Sequence, residues 1–89
     1  MAKAEVNWRR ETAEGTRLQV CAQRVGGVWR FFSRERRFDR WEALEEPPLE
    51  DWLELLDAVQ RLAMRGRLQP DEEERVGRCI RERFPDAEL

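Results

Sequence analysis

The chain predicts an α+β fold: a three-stranded antiparallel meander followed by two α-helices packed on one sheet face, a two-layer sandwich. Three observations carry that expectation. Apolar and polar side chains alternate with period two over 5–34, glycines interrupt the alternation at 15 and at 26–27, and beyond Pro47-Pro48 the apolar residues recur at spacings of three and four. Such a change of period along one chain is a change from strand to helix. With 89 residues the chain reads as one domain, 1–89, with room for a single modest core. Its parts are a meander at 5–34, a connector at 35–48, a first helix at 49–66 and a second at 70–84.

The strands are expected at 5–12, 17–25 and 28–34, since the breaks at Ala13-Glu14-Gly15 and Gly26-Gly27 are too short to hold a helix. Gly-Gly accepts the positive φ values of a two-residue hairpin turn. Pairing Val25 with Val28 sets Ala22 opposite Phe31, Val20 opposite Ser33 and Arg24 beside Trp29. Leu18, Val20, Ala22, Trp29 and Phe31 then share one face, and Gln19, Cys21, Gln23, Arg30, Phe32 and Arg34 share the other. A slip of one residue mixes the two sets. At the first turn, a three-residue loop with Gly15 left-handed in a bulge places Trp8 opposite Val20 and Val6 opposite Ala22, with Glu11 across from Arg17 as a favourable charge pair.

The connector is ambiguous. Phe38 and Trp41 are three apart, which suits a helical turn, while 37–41 reads equally as a short fourth strand. Either way, both aromatics are expected to close the edge of the core.

The helices are better marked. In 49–65, Trp52, Leu55, Leu56, Val59, Leu62 and Ala63 form an apolar stripe, with Glu50, Asp51 and Glu54 near the N-terminus and Arg61, Arg65 and Arg67 near the C-terminus, as the helix dipole favours. Asp57 and Arg61 form an i,i+4 pair. Gly66 supplies the stop. Pro70 opens the second helix, which carries a narrow stripe of Val76, Ile80 and Phe84 beside Cys79 and ends before Pro85. The acids at 71–74 read as complements of the dipole rather than as a metal site.

Composition removes several function classes. The chain has no His and no Tyr, and Ser33 is its only serine, so acyl-transfer and thiol-protease constellations are missing. Two cysteines without histidine make no zinc site, the acidic run lacks the spacing of a calcium loop, and no phosphate-binding glycine loop follows a strand. A non-enzymatic protein without cofactor or metal is the expectation. No segment has the apolar length of a membrane span and none resembles a signal peptide, so a cytoplasmic protein with free Cys21 and Cys79 is expected.

Charge is uneven. The chain carries 17 basic and 19 acidic residues, a net −2. Residues 1–41 hold ten basic against five acidic side chains, and residues 42–89 hold seven against fourteen. Any site for an acidic ligand therefore belongs to the first half. There, Arg9, Arg17, Arg30 and Arg34 are expected to surround Phe32 on the sheet face opposite the core.

That basic-aromatic face is the candidate site. It suits a protein partner, an acidic one in particular, with an outer strand as a second means of attachment; the same features permit self-association. Single-stranded nucleic acid, its bases stacked on Phe32 and its phosphates held by the arginines, is the alternative. The plainer account is that the arginine stems cover Phe32 and Cys21 and keep the sheet soluble.

Overall fold

A computed structural model describes residues 4–87 and shows an α+β chain, a four-stranded antiparallel sheet followed by two helices. The strands are β1 (Glu5–Glu11), β2 (Arg17–Val25), β3 (Val28–Arg34) and β4 (Glu42–Ala43), and the helices are α1 (Leu49–Met64) and α2 (Pro70–Arg83). Two compact units result: one up to Pro47 holding the sheet, and one from Pro48 holding the helices.

The sheet runs in the order β1-β2-β3-β4, each strand beside its neighbour in sequence. Both hairpins have the register that the apolar pattern requires, with Trp8 opposite Val20 and Val6 opposite Ala22 in the first, and Ala22 opposite Phe31 and Val25 opposite Val28 in the second. Gly26 and Gly27 both have positive φ, 58° and 81°, as the tight turn between β2 and β3 demands. In the first loop the Gly15 N–H donates to the Thr12 carbonyl at 2.9 Å and the Thr12 N–H to the Thr16 carbonyl at 2.8 Å, closing a three-residue bulged turn. Val20, Ala22 and Phe31 are buried on one face. Ala22 is small enough that Trp8 on β1 and Phe31 on β3 meet across the central strand, edge to face, with ring centroids 6.0 Å apart.

Three details of the sheet depart from expectation. A fourth strand exists, but at Glu42–Ala43 rather than 37–41. Residues 36–39 form a β-turn instead, in which the Asp39 N–H donates to the Arg36 carbonyl and the Asp39 carboxylate accepts from the Arg36 N–H, both at 3.0 Å. The three-residue spacing of Phe38 and Trp41 thus belongs to a turn, and Phe38, 93 % exposed, closes no core. Glu11 and Arg17 do face each other in register, yet no ion pair between them forms among the described residues. Their exposure makes that pairing too weak to hold two long side chains.

The helical unit is a hairpin. α1 buries Trp52, Leu55, Ala58 and Val59, and α2 buries Val76, Gly77 and Ile80, one stripe from each helix. α1 ends in a Schellman motif: the Arg67 N–H reaches the Leu62 carbonyl at 2.9 Å and the Gly66 N–H reaches that of Ala63 at 3.1 Å. Gly66 takes φ 73° to make this possible. The Arg83 guanidinium, at the end of α2, lies 4.9 Å over the Trp52 ring near the start of α1, as antiparallel helices require. The expected Asp57–Arg61 pair closes at 3.3 Å, and Asp71–Arg75 and Glu74–Arg78 repeat it on α2. Glu72 departs from the pattern, since it and Asp51 are buried rather than solvated, each at the third position of its helix. Both residues make further interactions.

Candidate functional site

Strand periodicity places Asn7, Arg9, Gln19, Cys21, Arg30, Phe32 and Arg34 on the sheet face opposite Val20 and Phe31. Its rows run Glu5–Gln23–Arg30, Asn7–Cys21–Phe32–Ala43 and Arg9–Gln19–Arg34, with Glu11–Arg17 last.

Arg34 organises one end of this face. Its Nε donates to the Gln19 side-chain oxygen at 2.7 Å, one terminal nitrogen donates to the Asp39 carbonyl at 3.4 Å, and the guanidinium lies 4.1 Å from the centroid of the Trp41 ring. A planar cation on an indole face, with its edge hydrogen-bonded, is an arrangement that lysine cannot reproduce. The stack holds the 35–41 loop to the sheet. It also forms one wall of a groove of about 510 Å³ lined by Glu5, Asn7, Arg9 and Gln19. Trp41 keeps 39 % of its surface exposed, and at the tip of the loop Phe38 stands in solvent with Arg37 5.9 Å from its ring.

Of the five residues the sequence singled out, the groove brings together Arg9 and Arg34. Arg30 is exposed on β3 and makes no ion pair among the described residues; Arg17 is exposed at the far end of β2, beyond the groove. Phe32 is half-buried rather than a free platform, because β4 pairs Ala43 beside it. The exposed aromatics are instead Trp41 and Phe38. Sequence reasoning assigned both to the core, although the run of Arg36, Arg37 and Arg40 around them carried a legible sign of exposure.

Cys21 lies at the centre of the face and is only 1 % exposed. Its thiol donates to the Glu5 carboxylate at 3.1 Å. Burial, and then the carboxylate beside it, push the thiol from the ordinary 9.0 up to about 12, so it is a protonated, unreactive group. Cys21 and Cys79 are both free thiols. Among the described residues, no three His, Cys, Asp or Glu side chains converge to hold a metal ion, and no helix is long and apolar enough to cross a membrane.

The face thus offers guanidinium donors, two exposed rings and a shallow polar groove, a set that can hold carboxylates or phosphates and stack on flat groups but has no activated nucleophile. Comparison with protein-family models, with curated proteins and with solved structures finds no match for this chain.

Proposed function

We propose that the chain is a non-enzymatic interaction domain whose basic-aromatic sheet face binds an acidic segment of a protein partner. The observation that carries this reading is the Arg34–Trp41 stack, which fixes an arginine and an exposed indole beside the groove that Arg9 also lines. Arginine and tryptophan are the side chains most often dominant at protein interfaces, and a stacked guanidinium loses little freedom on binding. Arg30 adds positive charge without a competing internal carboxylate.

Single-stranded nucleic acid is the competing ligand, favoured by one observation: the open Phe38 ring with Arg37 beside it can stack a base. Titrating labelled glutamate-rich peptides and labelled single-stranded RNA at low salt separates the two. The expected result is peptide binding that weakens with salt and falls about thirtyfold in Arg34→Ala and Trp41→Ala, the loss typical of a hot spot. Tighter binding of RNA, lost in Phe38→Ala, would assign the face to nucleic acid. Absence of any binding tighter than about 1 mM would remove the proposal altogether.

A further inference from the structure

β1 is an outer strand of the sheet. Its ladder with β2 is anchored where the Arg24 N–H donates to the Ala4 carbonyl at 3.0 Å and the Thr12 N–H to the Thr16 carbonyl at 2.8 Å. Antiparallel pairs alternate between hydrogen-bonded and non-bonded, so the even residues from 4 to 12 turn their backbone groups toward β2. Glu5, Asn7, Arg9 and Glu11 turn theirs outward. Among the described residues that outward row makes no backbone hydrogen bond.

Charged side chains on an outer strand repel most incoming strands. Here they also define which strand is admitted, because the outward row reads acid, amide, base, acid. We propose that β1 pairs antiparallel with β1 of a second copy about a two-fold axis at Asn7. This register sets Glu5 of each copy opposite Arg9 of the other and the two Asn7 side chains opposite each other. On the opposite side of the sheet it sets each Val6 against the other copy's Trp8, both half-buried in the single chain and with surface left to cover.

The other registers that keep the outward groups facing one another lack this match. An axis at Glu5 opposes the two Glu5 carboxylates, and one at Arg9 opposes the two guanidinium groups. An axis at Trp8 sets Glu5 against Glu11 twice, one at Val6 sets Glu5 against Asn7 and leaves Arg9 without a carboxylate, and one at Glu11 opposes two carboxylates. An axis at Arg10 pairs Arg9 with Glu11 twice but sets Trp8 against Thr12 and the two Arg10 side chains against each other on the opposite side. Only the axis at Asn7 satisfies charge on one side and apolar contact on the other. Three facing pairs at that axis exchange about six backbone hydrogen bonds. Facing residues of paired strands lie on the same side of a sheet, so the two Arg34–Trp41 sites open on one continuous surface.

The pairing draws on Arg9, which also lines the groove of the acidic-partner reading, but it needs neither Arg34 nor Trp41. Sedimentation velocity of the full chain from micromolar to millimolar concentration, without ligand, is the test. The wild type is expected to form a dimer, and Asn7→Pro, which removes the central outward N–H, to remain a monomer. Glu5→Arg and Arg9→Glu each bring like charges together twice and weaken the dimer by about tenfold or more. Mixed one to one, those two variants regain opposite charges in every pair and form a mixed dimer, identified by its mass in native mass spectrometry. A wild type that is monomeric at millimolar concentration, an Asn7→Pro dimer of undiminished affinity, or folded charge variants that fail to form the mixed dimer would each overturn the proposal. Arg34→Ala and Trp41→Ala, which lie off the β1 edge, should leave the dimer unchanged while losing peptide, and so report the face reading separately.

Discussion

Replacing Arg34 with Met removes the guanidinium while keeping an apolar stem, and its cost follows from three contacts. The Nε bond to Gln19, at 2.7 Å and partly buried, is charge-assisted and contributes about 1.5 kcal/mol or somewhat more. The stack on Trp41 contributes about 0.5–1 kcal/mol, the lower end of the cation–π range, because the ring is 39 % exposed. The 3.4 Å bond to the Asp39 carbonyl is long and exposed and adds little. Arg34→Met should therefore cost about 2 kcal/mol, against about 0.5 kcal/mol or less for Arg30→Met on the same strand, where no such contacts exist. A double-mutant cycle with Trp41→Leu isolates the stack, and its coupling energy should be about 0.5–1 kcal/mol. Urea unfolding of the four proteins of the cycle and of Arg30→Met, followed by far-UV circular dichroism so that loss of the indole does not remove the signal, measures each value. If Arg34→Met costs no more than Arg30→Met, or the coupling falls below about 0.2 kcal/mol, Arg34 does not hold the loop as argued.

Three further outcomes follow from particular residues. Gly66→Ala should destabilise the protein by about 1 kcal/mol through its positive φ, whereas Gly77→Ala should be neutral or stabilising by up to about 1 kcal/mol, because its added methyl meets only the movable end of Arg81 at 3.3 Å; thermal unfolding distinguishes them. The Cys21 proton is released near 9.0 in the unfolded chain and near 12 in the folded one, so its stabilisation is whole below pH 9 and lost as pH rises toward 12. Urea midpoints should accordingly fall more steeply with alkaline pH in the wild type than in Cys21→Ala, and equal slopes would contradict the shifted thiol. The buried Trp29 indole N–H finds no acceptor among the described residues, and Trp29→Phe should therefore cost less than about 1 kcal/mol despite the smaller ring, with a cost above about 3 kcal/mol counting against an unpartnered donor.

Both hairpin registers were legible because glycines fixed the turn lengths and each slip would have moved large apolar side chains to the wrong face. The helices were legible from period and caps, down to the Gly66 stop. Residues 35–43 were not, because six charges and two aromatics in so short a span satisfy a turn and a strand equally. What decides between them is the Asp39 carboxylate folding back on Arg36 and Arg34 stacking on Trp41, and neither leaves a periodic trace. The candidate site was read half correctly for the same reason: alternation located Arg9 and Arg34, while the exposed rings came from the segment without alternation. Cys21 was placed on the proper face, but its burial depends on the side chains of β1 and β3 on either side of it, which alternation along one strand does not measure.

The order β1-β2-β3-β4 has a consequence for how the sheet is made. Each pairing joins segments adjacent along the chain, and the first two are closed by loops of three and two residues, so the entropy of bringing partners together is small at every step. A sheet of this kind has low contact order and is expected to form quickly for a β structure. During synthesis from the N-terminus, every strand of the sheet, and Leu44, whose N–H donates to the Phe31 carbonyl, has been made before any residue of either helix, so the ladder can assemble while the rest of the chain is still being translated.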